Sequence, residues 1–178
     1  MALDDKDVID AGQGKPMDYL TVAGMLLLLL VANGTPVILE YLFDKRLRHP
    51  VDGGARFVDG KPLLGTSKTW RGLLGAILVT PLVAQSVGLG AQTGLIVAVA
   101  AMLGDLASSF TKRRMDIPPS GMALGLDQIP EALLPLIAMR SVIDLSVGEI
   151  VFLVAAFTLL ELLLSRILFR LRIRKRPY

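Results

Sequence analysis

The chain contains no cysteine and only one histidine, His49, among its 178 residues. The absence of cysteine excludes disulfide bonds and thiolate metal sites. One imidazole is too few for a histidine-based zinc site, and it argues against a Ser-His-Asp triad. Any catalysis by this chain therefore has to rely on carboxylates, hydroxyls, lysines and arginines.

Long hydrophobic runs are what the chain has in abundance. Hydrophobic residues make up 53% of it, above the roughly 45–50% of soluble domains. Five apolar segments, at 19–43, 72–90, 91–109, 129–145 and 147–169, predict an all-α, polytopic integral membrane helix bundle. We expect about five transmembrane helices with two cytosolic basic loops. The predicted domains are a polar N-terminal tail at 1–18, a single transmembrane catalytic domain at 19–169, and a basic C-terminal tail at 170–178.

Cations are concentrated in three places, although the net charge is only +3. Seven Lys or Arg residues lie in the loop after the first segment, three follow the third segment, and five occupy the C-terminal tail. With five spans, all three places fall on one side, which the positive-inside rule makes cytosolic. We predict an integral protein of the cell (inner or plasma) membrane, with the N-terminus outside, the C-terminus inside and the active site facing the cytosol.

The segment 104–114, GDLASSFTKRR, carries an apolar run into a carboxylate, two serines and three cations. If one helix continues through it, at 100° per residue, one face presents Asp105, Ser108, Ser109 and Lys112. A carboxylate near the bilayer centre costs at least about 2.5–3.5 kcal/mol, so it normally has a functional partner. A metal ion is one such partner, and a phosphate bridged to Lys112 and Arg113 is a natural next shell. The alternative is a membrane helix that ends in a stop-transfer cluster of cations.

The two basic loops add further candidates. In the first loop, the segment 65–69, GTSKT, combines a glycine, hydroxyls and one lysine, which suits a phosphate-binding turn. Its spacing is not that of a P-loop, and the loop could also serve only as a topology signal. In the second loop, the segment 118–121, PPSG, predicts a turn that brings Asp127 back to the membrane surface.

These stretches together resemble the CDP-archaeol synthase family, which is related to bacterial phosphatidate cytidylyltransferases. The matching stretches are Ala32-Asn33 with Pro36, Asp52-Gly53-Gly54, DGKPLLGTSKTWRG at 59–72, GDLASSFTKRR at 104–114, and GLDQ at 125–128. The resemblance implies Mg²⁺-dependent transfer of CMP from CTP to a membrane lipid phosphate, giving a CDP-activated lipid and pyrophosphate. Archaeal ether, diacyl and polyprenyl lipid phosphates are all compatible with it. It also implies that the family's polar site is matched by Lys68, Arg71, Asp105, Lys112, Arg113 and Asp127.

The resulting hypothesis gives each polar group a role. Asp105 and Asp127 are expected to hold Mg²⁺. The expected catalytic residues are Asp105, Asp127, Lys68, Lys112 and Arg113. The expected substrate-binding residues are Gly65, Ser67, Thr69, Arg71, Asp52, Ser109 and Arg114. Lys68 and the 65–69 turn are assigned to the triphosphate, and Arg71 with the cations at 112–114 to the lipid phosphate and the departing pyrophosphate.

The expected partners are CTP, a lipid phosphate and the membrane, with no nucleic acid, and a homodimer is compatible with the sequence. Two functions of other classes remain open at this point. A small transporter or channel subunit would line an ion path with Asp105, Glu161 and Arg140. A structural scaffold would use its basic loops to bind anionic lipid headgroups, but it would have no need of Asp105 inside the membrane.

Overall fold

The computed structural model describes residues 18–44, 46–174 and 176. In these ranges the chain forms five helices: α1 (Tyr19–Phe43), α2 (Trp70–Ser86), α3 (Ala91–Arg114), α4 (Gln128–Ile143) and α5 (Val147–Arg170). The same ranges contain no strand, only two isolated bridges in the loop between α1 and α2. The all-α prediction is therefore confirmed. Apart from Asp18, the predicted N-terminal tail lies outside the described residues.

Three of these helices are long and apolar enough to cross a membrane, namely α1, α3 and α5. They contain 25, 24 and 24 residues, and about 20 apolar residues cross a bilayer core of roughly 30 Å. Helices α2 and α4 are shorter, with 17 and 16 residues. The membrane helix bundle is thus supported, whereas a count of five spans stays a prediction.

Short-range side-chain contacts account for where the helices begin. The Thr69 hydroxyl caps α2 by accepting a hydrogen bond from the Gly72 N–H at 3.3 Å. Ser146 and Glu149 form a reciprocal capping box at the start of α5. Such caps satisfy N–H groups that have no partner within the helix. Helix α3 runs without a break through the segment 104–114, the continuation on which the shared face of Asp105 and Lys112 depends. It places three cations in its last turn, where the helix dipole favours them.

Small residues let the central helices approach closely. A Cβ atom at Gly104 of α3 would clash with the Pro130 carbonyl of α4 and would lie 2.9 Å from the Glu131 nitrogen. At the other end of α3, a Cβ atom at Gly94 would lie 2.6 Å from the Pro81 Cα of α2. Close backbone approach at small residues is the usual packing device of membrane helices. The crossing at Gly104 brings the adjacent Asp105 beside α4.

The apolar side chains divide between a core and an outer surface. The core contains fully buried side chains from α1, α4 and α5: Met25, Leu28, Leu29, Leu136, Met139, Leu153 and Phe157. On the outer surface, Leu82, Val151 and Leu159 are 71%, 63% and 70% exposed. A surface this apolar suits contact with lipid hydrocarbon rather than with water.

The three basic segments meet at one end of the bundle. Lys61 in the loop after α1 pairs with Asp116 in the loop after α3, with Nζ and Oδ2 2.7 Å apart. Arg176, in the segment after α5, donates to the Ser120 carbonyl of that same loop at 2.9 Å. The cation-rich segments therefore lie together, as the cation count predicted. The side of the membrane that they face stays a prediction.

Candidate active site

Asp52 organises the loop between α1 and α2. One of its carboxylate oxygens accepts hydrogen bonds from the N–H groups of Leu64 and Gly65, both at 2.9 Å. The other accepts from the Gly54 N–H at 3.0 Å. Burial raises the pKa of Asp52, but hydrogen bonds from Gly65, Gly54 and Leu64 outweigh it and hold the pKa below its ordinary value. Asp52 therefore anchors the loop through these hydrogen bonds, and its expected contact with substrate stays a prediction.

The segment 65–69 follows directly from this anchor. Gly65 has a φ of +93°, a left-handed conformation that glycine adopts without a steric penalty. It packs against the Pro119 ring and the Arg113 side chain. The next residues turn toward the interior, and Ser67, Lys68 and Thr69 line a large cavity.

This cavity has a volume of about 680 Å³, within the roughly 300–1,000 Å³ of small-molecule sites. Polar side chains on its wall come mainly from the loops and from α3 and α4. Apolar side chains on its wall come mainly from α1 and α5: Leu30, Val37, Phe157, Leu162, Leu164 and Leu168. The cavity thus offers two different environments, one for charged groups and one for hydrocarbon.

Two lysine–carboxylate pairs form the centre of the polar wall. The Lys68 ammonium pairs with the Asp105 carboxylate. The Lys112 ammonium pairs with Asp127 at 2.5 Å, and it also donates to the Gly121 carbonyl at 3.1 Å. The predicted turn at 118–121 therefore does bring Asp127 back to α3.

Lys68 keeps its proton in this environment. Burial lowers the pKa of Lys68, while the Asp105 carboxylate and then Glu131 raise it, and together they leave it above the ordinary value for lysine. Lys68 lies just before α2, at a helix N-terminus that also favours anions. This corner of the cavity is therefore suited to a phosphate group.

Two further carboxylates on the cavity wall were not among the predicted site residues. Glu131 on α4 neighbours Asp105, and Glu161 on α5 neighbours Gln128. Glu131 is only 7% exposed. The sequence analysis gave Glu131 no role and considered Glu161 only for an ion path. The available signal was that each is a carboxylate within an apolar segment, where a carboxylate is rarely without a function.

The residues present fit a magnesium ion in their chemistry. Mg²⁺ prefers one or two carboxylates together with phosphate oxygens and water, and Asp105 and Asp127 both line the cavity. In the part of the chain that the structure describes, no three Asp, Glu or His side chains converge closely enough to hold a metal ion. A magnesium site here would therefore be completed by phosphate and water oxygens.

The predicted arginines lie in three different environments. Arg71 lines the cavity and donates to the Arg46 carbonyl at 2.6 Å. Arg113 is 4% exposed, packs beneath Gly65, and does not line the cavity. Within the described ranges its Nε and one terminal nitrogen have no hydrogen-bond partner.

Arg114 is held by the loop after α1. Its guanidinium carbon lies 4.9 Å from the Phe57 ring centroid and 4.8 Å from that of Phe110, and its Nε lies 3.0 Å from Asp59. Two cation–π contacts and the interaction with a carboxylate hold the Arg114 guanidinium against this loop. Arg114 therefore joins the end of α3 to the loop after α1, and its expected contact with substrate stays a prediction.

Most of the predicted site residues line the cavity. It is lined by Ser67, Lys68, Thr69, Arg71, Asp105, Lys112 and Asp127. The predicted residues outside it are Asp52, Gly65, Ser109, Arg113 and Arg114. Of these, Ser109 is 1% exposed, and its hydroxyl has no hydrogen-bond partner among the described residues.

The geometry does not support the ion path considered above. Arg140 is exposed in the last turn of α4 and does not line the cavity that contains Asp105 and Glu161. The three charged groups therefore do not share one pathway.

A CarS-like family model, described as CDP-archaeol synthase, matches residues 19–178. The chain belongs to this family.

Relatives within the CDP-archaeol synthase family match over most of their length. The CDP-archaeol synthase of Thermofilum pendens is 36% identical over 154 residues, covering 83% of this chain and 76% of the relative. That of Pyrobaculum islandicum is 31% identical over 153 residues, covering 83% and 92%. A solved structure, described as an intramembrane enzyme for archaeal membrane lipids biosynthesis, is 33% identical with a TM-score of 0.68, covering 80% of this chain and 90% of that chain.

Membership of the CDP-archaeol synthase family confirms the predicted enzyme class. The chain is a CTP-using cytidylyltransferase of lipid biosynthesis, and it acts on a lipid phosphate in a membrane. The predicted partners CTP, lipid phosphate and membrane are confirmed at this level, and the transporter and scaffold alternatives are set aside. The residue roles and the homodimer stay predictions.

Proposed function

We propose that the protein transfers CMP from CTP to the phosphate of an archaeal ether lipid, with Mg²⁺ as cofactor and pyrophosphate as the second product. The observation that carries this proposal is the single cavity that contains both lysine–carboxylate pairs and an apolar wall. A substrate with a charged head and a hydrocarbon tail matches these two environments. The names of the relatives favour archaeol as the lipid.

The triphosphate of CTP binds at the corner made by Ser67, Lys68 and Thr69. This corner offers a lysine that stays protonated, two hydroxyls and the N-terminus of α2. Each of these groups favours phosphate oxygens over water. When phosphate enters, it competes with Asp105 for the Lys68 ammonium, and Asp105 is released to another cation.

Asp105 and Asp127 are the residues that would hold Mg²⁺. When bound, Mg²⁺ supplies charge neutralisation for the phosphate oxygens and the leaving group. Lys112, which pairs with Asp127 at 2.5 Å, remains close to the same oxygens and supports them with its own charge. Neither aspartate needs to exchange a proton in this role.

The lipid phosphate binds between Arg71 and Lys112, with its chains along the apolar wall from α1 and α5. In the reaction, an oxygen of the lipid phosphate forms a bond to the α-phosphorus of CTP. The bond from that phosphorus to the β-phosphate bridging oxygen breaks, and pyrophosphate leaves with the electron pair. The attacking oxygen is already ionised at neutral pH, so no general base is required. Catalysis is then positioning and electrostatic stabilisation.

The direct test uses purified full-length protein in detergent with CTP labelled at the α-phosphorus. An archaeal ether lipid phosphate, a diacyl phosphatidate and a polyprenyl phosphate are supplied in separate reactions. We expect label in the lipid fraction with the ether lipid, pyrophosphate in equal amount, and loss of both when Mg²⁺ is chelated. Label transfer to none of the three lipids contradicts the proposed function. A preference for another lipid contradicts only the assignment of archaeol.

A further inference from the structure

The segment after α5 folds back toward the cavity, and no role has been assigned to it so far. Helix α5 ends at Arg170, and Arg172 then adopts a φ of +60°. The N–H groups of Ile173 and Arg174 both bond to the Leu168 carbonyl, at 2.9 and 3.1 Å. These bonds reverse the chain direction, so the segment runs over the end of α5 instead of leaving the bundle.

Arg174 is held in a defined position by this reversal. Its guanidinium donates a hydrogen bond to the Ser165 hydroxyl, and Ser165 is 2% exposed. Glu161, one turn earlier on α5, neighbours the same guanidinium. A surface arginine that served only to mark the cytosolic side would not be tied to a buried hydroxyl.

Arg176 closes the segment over the cavity. One of its terminal nitrogens donates to the Ser120 carbonyl at 2.9 Å, in the loop that also supplies the Gly121 contact of Lys112. Both Arg174 and Arg176 line the cavity. The described residues after α5 therefore form part of the cavity wall.

The position of Arg174 indicates which substrate group it contacts. It donates to Ser165, and Ser165 lines the cavity together with Leu164 and Leu168. Three other cations on the cavity wall already have partners: Lys68 and Lys112 are each paired with an aspartate, and Arg71 donates to the carbonyls of Asp44 and Arg46. A guanidinium has five donors in a planar fork that matches two phosphate oxygens, so the bond to Ser165 leaves donors for a ligand.

We propose that Arg174 binds the phosphate of the lipid substrate and that Arg176 is a positioning residue that clasps the C-terminal segment over the cavity. This inference rests on the proposed function, because it takes the lipid phosphate as a ligand of this cavity. Arg174 joins Arg71 and Lys112 around the lipid phosphate and orients it toward the nucleotide, while the lipid chains lie along the apolar side chains of α1 and α5.

The test is steady-state kinetics of full-length variants, with CTP and an archaeal ether lipid phosphate varied in turn. Arg174→Gln should lower kcat/KM for the lipid phosphate by at least about tenfold, the usual effect of a lost charge-assisted contact, and leave the KM for CTP unchanged. Arg174→Lys keeps the charge without the fork and should fall between Arg174→Gln and wild type. Arg176→Gln should lower kcat/KM for the lipid by a smaller factor.

The matched control is Arg170→Gln, which removes the same charge four residues earlier from an exposed position that does not line the cavity. It should behave as wild type. Equal kinetics for Arg174→Gln and Arg170→Gln, or equal effects of Arg174→Gln on both substrates, overturn the inference. If Arg174→Gln does not fold, Arg174→Lys decides: a native unfolding temperature with unchanged lipid kinetics also overturns it. A wild-type protein without cytidylyl transfer instead contradicts the proposed function, so the two failures are distinguishable.

Discussion

At the scale of single residues, charge pairing decides which groups are available to a substrate. The pairs Lys68–Asp105 and Lys112–Asp127 hold two lysines and two aspartates in a largely buried cavity. An ion pair exposed to water contributes only about 0–1 kcal/mol, whereas an unpaired charge in a buried site is strongly unfavourable. We therefore expect the pairs to keep the empty site charged and ordered. In the proposed function, Asp105 and Asp127 would hold Mg²⁺, and the two lysines would contact phosphate oxygens.

The first prediction concerns the two aspartates. Asp105→Asn and Asp127→Asn should each abolish cytidylyl transfer, because removal of one carboxylate from a two-carboxylate Mg²⁺ site removes both a charge and a ligand. Label transfer from CTP to lipid measures the activity, and gel filtration in detergent checks that each variant folds. Asp116→Asn is the matched control, since Asp116 pairs with Lys61 outside the cavity. Near-normal activity of either site variant at ordinary Mg²⁺ would show that the residue is not a ligand.

A second prediction separates the nucleotide from the lipid. Lys68→Ala should lower kcat/KM for CTP by roughly 10- to 150-fold, the equivalent of a lost charge-assisted hydrogen bond of about 1.5–3 kcal/mol. The KM for the lipid phosphate should change much less, because Lys68 lies at the N-terminus of α2. Lys61→Ala provides the comparison, since this lysine pairs with Asp116 outside the cavity. An equal loss for both substrates would contradict the assignment of Lys68 to the triphosphate.

At the scale of elements, the boundaries of the helices show what local sequence controls. Helix α1 begins and ends where the apolar run does. Helix α2 ends at Ser86, four residues before the predicted end, because Gly88 and Gly90 adopt left-handed φ angles of +81° and +79° in the turn. Helix α3 continues five residues past its predicted apolar end, because 110–114 lacks proline and glycine and carries cations suited to a helix C-terminus.

The crossing of α3 and α4 gives a prediction at this scale. Gly104→Ala should destabilise the protein by about 1–3 kcal/mol, since the new methyl group clashes with the backbone at Pro130 and the helices cannot repack freely. For a protein of this size, that is a fall in unfolding temperature of roughly 2–12 °C, measured by thermal unfolding in detergent. Gly148→Ala is the control, because its Cβ would meet nothing closer than 4.0 Å. Equal unfolding temperatures for both variants would show that the crossing tolerates a side chain.

At the scale of the whole molecule, the cation-rich segments form one layer at one end of the bundle. Contacts between Lys61 and Asp116 and between Arg176 and Ser120 join all three segments. Since the polar part of the cavity is built from the same segments, the active site and the cations face the same side. On the positive-inside rule, we predict that this side is the cytosol.

The topology prediction follows from this layer: the N-terminus lies outside and the C-terminus inside. Reporter fusions at residue 2 and at residue 178 should give opposite signals, with only the C-terminal fusion in the cytosol. Each fusion should carry a reporter that gives a signal on only one side of the membrane. Cytosolic signals from both fusions would contradict an odd number of spans, and the assignment of five spans would fail with it.

The sequence by itself determined the membrane class, the approximate helices and the stretches that carry the polar site. These features are local: apolar length makes a membrane helix, and a glycine or proline turn ends it. Four site residues could be predicted in this way, because each lies in a short motif of neighbouring residues: Lys68, Asp105, Lys112 and Asp127.

Only the tertiary structure decided which charged groups face the cavity. Lys112, Arg113 and Arg114 are consecutive, but residues on a helix are 100° apart, so only Lys112 lines the cavity. Asp52 does not line the cavity, and its oxygens accept hydrogen bonds from backbone N–H groups. Glu131, Glu161 and Arg174 line the cavity from α4, α5 and the segment after α5. Helix packing brings these residues together although they are far apart in the sequence, and no local sequence pattern predicts such contacts.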